Sequence, residues 1–193
     1  MAVIKTRTEY KRILRIERDS IGRGKLRHIV FPPYNWQFIK SLRRLEFYTC
    51  NTSIFHRILM LFAYRSYRRL SILTGLNIPI NTCEEGLTIY HTGSITVNSA
   101  TKIGKNCCIM NNVNIGANGG SPKAPIIGDN VYIGPGAVIY GDIRIADGCY
   151  IGANAVVNKS FEETNTVIAG VPAKAIGKDE VCWWEKNGLT RFR

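Results

Sequence analysis

Of the chain's three histidines, His91 has the most suggestive surroundings. It lies in "LTIYHTGSITVN" (87–98), a stretch that otherwise reads as a β-strand, whereas His28 and His56 lie far upstream. An imidazole titrates near neutral pH, so it can take a proton from a hydroxyl and turn a poor nucleophile into a usable one. Polar neighbours in sequence are Tyr90, Asn111, Asn112, Asn114 and the loop "GANGGSPKAP" (116–125), whose one charged residue is Lys123. The asparagines read equally as substrate contacts or as turn residues stacked in a ladder. The six cysteines (50, 83, 107, 108, 149, 182) form no C-x-x-C pair. They are expected to be reduced, buried small residues rather than a disulfide framework or a zinc site, and no metal is expected.

Two kinds of element must position these groups. Residues 10–69 follow a helical pattern, clearest in "FHRILMLFAYRSYRRLSIL", where Phe55, Ile58, Leu59, Phe62, Tyr67 and Leu70 recur at three- and four-residue steps. "PPYNW" (32–36) breaks this half into at least two helices, and Gly75 with Pro79 ends it. From there the period changes. Aliphatic residues fall at 97, 103, 109, 115, then 127, 133, 139, 145, 151 and 157, with small or β-branched residues usually four positions after each. Six residues turn an α-helix through about 600°, so this repeat cannot hold one helix face. It fits a short strand and a turn repeated around a solenoid, whose core is built from columns of inward aliphatics.

Extending the frame back from Val97 lands on His91, a slot that elsewhere takes Ile or Val. An unpartnered buried polar ring costs about 1–3 kcal/mol. The frame therefore predicts either an irregular coil at this point or a polar partner and a task for His91.

The run "IIGDNVYIGPGAVIYGDIRIADGCYIGANAVVNKS", followed by "VIAGVPAKAIG", resembles the hexapeptide-repeat acyltransferases. The similarity covers about residues 76–177, and is strongest to the serine acetyltransferase-like branch, which includes many acetyltransferases of capsule and lipopolysaccharide sugars. It implies a mainly β protein: a left-handed parallel β-helix over 76–177, after an N-terminal basic helical region (1–75) and before a short C-terminal tail (178–193). It also implies acetyl-CoA as co-substrate and His91 as catalytic base. Carried over by position, the cofactor contacts are Gly116, Gly134, Ala153, Asn154, Lys159, Pro172 and Lys174. The assembly implied is a homotrimer or a dimer of trimers, with sites at subunit boundaries.

Two departures set the expected acceptor. Serine enzymes of the family usually carry aspartate where this chain has Tyr90, and an arginine–histidine pair where the 116–125 loop offers only Lys123. An amino acid needs partners for both its charges, whereas a sugar hydroxyl needs only polar contacts. The expectation is therefore O-acetylation of a sugar in a surface polysaccharide or its precursor, with Tyr90, Asn111, Asn112 and Lys123 as substrate contacts. Serine O-acetylation is the alternative and a non-catalytic scaffold the second.

Composition bounds the partners. Residues 1–75 carry 16 Lys/Arg against 4 Asp/Glu, which accounts for the whole net charge of +12. That asymmetry fits an anionic membrane surface or an acidic substrate as well as a solvated face. No nucleic-acid-binding motif accompanies it, so no nucleic-acid partner is expected. "MAVIKTRTEYKR" has no apolar core of a signal peptide, and the longest apolar run, 58–64, has 7 residues against the roughly 20 a span needs. A cytoplasmic protein is expected, with peripheral association at the inner membrane face left open.

Overall fold

A buried arginine of the helices reaches into the first coil of the solenoid. A computed structural model of the 193-residue chain describes residues 4–20, 31–50 and 53–186, so His28 lies outside the described residues. The helices are α1 (Arg7–Ser20), α2 (Tyr34–Thr49) and α3 (Ile54–Thr74). Pro33 occupies the N-cap position of α2, where its fixed φ of −54° suits the helix entry. Gly75 closes α3 in the left-handed conformation (φ 73°), its N–H donating to the Ser71 carbonyl, a turn that favours glycine.

The faces of these helices differ from a simple amphipathic reading. α2 buries Phe38, Ile39 and Leu42 completely. α3 buries only Ala63, Tyr67 and Thr74, while Phe55, Ile58 and Phe62, part of its apolar stripe in sequence, point outward. Helical spacing groups side chains on one face but does not say that the face meets a neighbour. Arg43 of α2 donates to Glu17 of α1, to Glu46, and to the carbonyls of Cys83 and Glu84 in the first coil. Glu46 in turn accepts the Asn81 amide.

Among the described residues thirteen strands form three sheets. The first sheet holds β1 (Leu76–Asn77), β2 (Ile95–Val97), β5 (Asn114–Gly116), β8 (Val138–Tyr140) and β11 (Val156–Val157), paired in parallel. The second holds β3 (Lys102–Ile103), β6 (Ile126–Ile127) and β9 (Arg144–Ile145), also parallel. The third holds β4 (Cys108–Ile109), β7 (Tyr132–Ile133), β10 (Tyr150–Ile151) and β12 (Thr166–Gly170) in parallel, with β13 (Ala173–Lys178) added antiparallel to β12. Successive coils add their strands to the three sheets in turn, with isolated bridges at Cys83, Thr88 and Phe161 in the first and last coils, so the inward residues stack in register. Val97, Ile115, Ile139 and Val157 form one column, Ile103, Ile127 and Ile145 the second, and Ile109, Ile133, Ile151 and Ile168 the third. All are essentially buried, as are the small residues four positions later, including Cys107, Ala137, Cys149 and Ala155.

The frame fails at one place. Ile89 is fully buried and eight residues, not six, separate it from Val97. The two extra residues bulge out of the corner between the third and first sheets, and His91 is exposed there rather than held in a core slot. The structure thus realises the irregular coil, and no desolvation of His91 needs to be offset.

The last element among the described residues is α4 (Trp183–Lys186), laid on the outer face of the third sheet. Trp183 and Trp184 are buried against Cys108, with Tyr90, Met110, Tyr132, Tyr150 and Cys182 around them. Trp183 Nε1 donates to the Asn106 carbonyl at 2.8 Å. All six cysteines are free thiols. Among the described residues no helix is long and apolar enough to cross a membrane.

Candidate active site

The corner between the third and first sheets recurs in every coil, and the turns stack into an edge. His91 sits in the first turn of that edge. Its approach is fixed from below by Asn35, a buried residue near the start of α2, whose Nδ2 donates to the carbonyls of Ile89 (2.6 Å) and Tyr90 (3.1 Å). Beyond His91 the Gly93 amide donates to the Thr74 carbonyl at 3.0 Å. Gly93 has φ 145°, and a Cβ there would lie 3.1 Å from the Asn111 Cβ, so glycine lets this turn sit directly on the next one. The imidazole itself makes no hydrogen bond with a described residue, which leaves both ring nitrogens open to a reactant.

The turn next to it holds Asn111 and Asn112. Asn112 adopts the left-handed turn conformation (φ 61°) with its side chain exposed. A stacked pair of asparagines does occur, Asn106 Nδ2 to Asn130 Oδ1 at 3.0 Å, but on the edge between the second and third sheets. Along the His91 edge the Gly136 amide donates to the Asn111 carbonyl and the Asn154 amide to the Pro135 carbonyl. Tyr90, Asn111, Asn112, Gly134, Ala153, Asn154 and the Pro172–Lys174 segment therefore follow His91 down one edge. Ala153, Asn154, Pro172 and Lys174 are exposed there. Gly134 is buried, and a Cβ on it would come within 2.7 Å of the Ile151 carbonyl oxygen, so glycine here serves the contact between coils. Tyr90 is half-buried in the aromatic cluster under Trp183 and Trp184.

Gly116, Lys123 and Lys159 lie elsewhere, along the edge between the first and second sheets. The Gly141 amide donates to the Gly116 carbonyl. Lys123 Nζ lies 2.7 Å from Asp142 Oδ2, an exposed pair that raises the lysine pKa through the hydrogen bond and charge of Asp142. Lys159 Nζ stands 5.5 Å from the Phe161 ring centroid. One chain thus separates the predicted contacts into two edges flanking the first sheet. Among the described residues no group of three His, Cys, Asp or Glu side chains could hold a metal ion.

Periodicity did not reveal Asn35, which precedes the repeat, or Asp142, which occupies an outward turn position of it, because each acts through a partner distant in sequence. The pair Trp183–Trp184 in an otherwise polar tail was the one readable sign that the C-terminal segment docks.

Residues 124–159 match the family described as "Bacterial transferase hexapeptide (six repeats)". The chain is 35% identical over 112 residues to a serine acetyltransferase of Mycobacterium tuberculosis, covering 56% of this chain and 48% of that one. It is 33% identical over 128 residues to a serine acetyltransferase of Helicobacter pylori, covering 64% of this chain and 74% of that one. The chain spans about half the length of the first curated relatives it matches. Among solved structures it is similar to serine acetyltransferase from Brucella abortus strain S19, with a TM-score of 0.72 and 26% identity over 91% of this chain and 71% of that one. The same enzyme in complex with coenzyme A gives 0.74 and 25%, over 91% of this chain and 70% of that one. Each of these proteins is a serine acetyltransferase, and this overturns the expectation of a sugar acceptor in polysaccharide synthesis. That expectation rested on Tyr90 and the loop bearing Lys123, whereas the similarity extends over 64% of this chain in sequence and 91% of it in structure.

Proposed function

Because this chain belongs to the serine acetyltransferase family, we propose that it transfers the acetyl group of acetyl-CoA to the hydroxyl of L-serine, with His91 as general base. The observation that carries the reading is the exposed imidazole on an edge pinned by Asn35, in a chain of this family. The serine oxygen attacks the thioester carbonyl carbon as His91 takes its proton; the new C–O bond replaces the C–S bond, and the proton passes from the imidazolium to the departing thiolate. The carbonyl oxygen, which gains charge, needs a backbone donor. The Gly93 amide is already given to Thr74, so another amide of this edge must serve.

The exposed Ala153, Asn154, Pro172 and Lys174 are the coenzyme A contacts we assign to the His91 edge, with Asn111 and Asn112 facing the acceptor. Serine brings one charge of each sign, and Lys123 with Asp142 offers one of each. These two, with Gly116 and Lys159, belong to the neighbouring edge, so the site is complete only where a second copy sets that edge beside His91. That supports a homotrimer of left-handed coils with sites at its subunit boundaries. The test is coenzyme A release with L-serine and with a panel of free and nucleotide-linked sugars. Turnover with serine alone is expected; turnover with a sugar and none with serine would refute the assignment.

A further inference from the structure

The outward face of α3 is apolar and basic at once. Ile54, Phe55, Leu61 and Phe62 are between 63% and 73% exposed, and Ile72 and Leu73 continue the surface at the other end of the helix. Arg65, Arg68 and Arg69 lie between these two patches, and together with Tyr64, Ile72 and Leu73 they line a groove. None of these arginines, nor Arg57, makes an ion pair with a described residue, and Ile54–Thr74 contains no Asp or Glu. Isolated surface apolar residues are ordinary, but a contiguous patch of this kind marks a surface that something covers.

Charge decides what can cover it. A second copy docked helix on helix would set these arginines against their own kind, with no carboxylate on either helix to neutralise them. A nucleic acid would meet the arginines but leave Phe55, Leu61 and Phe62 without a purpose. An anionic bilayer meets both: lipid phosphates accept the guanidinium groups while Phe and Leu side chains enter the boundary between headgroups and acyl chains, about 5–10 Å deep. We propose that α3 is a membrane-surface helix which holds this protein on bilayers rich in anionic lipid. The excess of basic charge in residues 1–75 acts in the same sense. The inference is independent of the acceptor assigned above, since none of the exposed α3 side chains named here belongs to the His91 edge.

The test is co-sedimentation of the full chain with vesicles of phosphatidylcholine alone and of phosphatidylcholine mixed with phosphatidylglycerol. Binding to the mixed vesicles only, weakening as salt is raised, is expected. The triple variant R65E/R68E/R69E is expected to lose on the order of 100-fold in partitioning, at about 1 kcal/mol per basic side chain and about 1.4 kcal/mol per tenfold. L61S/F62S is expected to weaken binding as well. Both variants alter exposed residues, and circular dichroism melts with coenzyme A release in solution confirm that they are folded. Absence of binding, equal binding to both vesicle types, or wild-type binding by the triple variant would overturn the proposal. So would a preference for short RNA over vesicles, or a fall in particle mass by light scattering in L61S/F62S without any vesicle binding, which would assign the face to a second copy.

Discussion

Replacing Arg43 with methionine should be among the most damaging single changes in this protein. Arg43 is 2% exposed and donates to Glu17, which is fully buried, to Glu46, which is 2% exposed, and to the carbonyls of Cys83 and Glu84. Methionine fills much of the volume but removes the guanidinium from two buried carboxylates and two carbonyls, leaving the Leu87 amide on Glu17 and the Asn81 amide on Glu46. Breaking a buried pair in this way costs about 3–5 kcal/mol, against a total stability of about 5–15 kcal/mol for a typical domain. At about 2–4 °C per kcal/mol for a chain of this size, the melting temperature should fall by about 6–20 °C. The pH dependence gives a second check. Burial pushes the Glu17 carboxyl above its ordinary value of 4.5, and Arg43 pulls it back. A carboxyl whose folded pKa is raised loses stability as pH rises from its unfolded value through its folded one. Without Arg43 that loss is larger, so the variant's deficit should be greatest near neutral pH and shrink as pH falls towards 4.5. Urea unfolding of both proteins across this range measures it. A cost below about 1 kcal/mol, or a deficit that grows on acidification, would refute the reasoning.

Other outcomes follow from the same contacts. Asn35→Ala removes the donor to the Ile89 and Tyr90 carbonyls, so steady-state kinetics should show kcat lower by about 10- to 100-fold with the KM for acetyl-CoA little changed. Asn35→Asp, which turns oxygens towards those carbonyls, should not rescue it. Trp183→Ala empties a fully buried site and frees the Asn106 carbonyl, and chemical denaturation should register about 3–5 kcal/mol. Thiol titration of the native protein should reach no more than Cys50 and Cys182, with all six reacting in denaturant, because the other four are buried. Burial pushes Cys83 up to about 12 and raises Cys107 and Cys108 strongly, so raising the pH to 9 should not open them.

The six-residue frame made most of the solenoid legible, because every inward column obeys it from Val97 to Val157. Gly75 was legible as a helix end for a similar reason: a left-handed turn limits the residue choice. The placement of His91 was not, since extrapolating a period assumes that no residue is inserted, and two are inserted in the corner after Ile89. Nor could the frame show that Gly116, Lys123 and Lys159 lie on a different edge from His91. Sequence spacing gives the step along the solenoid, but assigning residues to one site requires knowing which corner each turn occupies. The sugar acceptor was inferred from two local departures, Tyr90 and the loop bearing Lys123, and these do not outweigh the similarity to serine acetyltransferases over 64% of the chain.

The central claim is tested most directly by following O-acetylserine formation from L-serine and acetyl-CoA by NMR, for the wild type and His91→Ala. The account predicts product from the wild type and a fall of about 10²- to 10⁴-fold in kcat for the variant, with an unchanged melting temperature because His91 is exposed and makes no hydrogen bond with a described residue. A wild type that leaves L-serine untouched, or a variant that turns over at the wild-type rate, would contradict it.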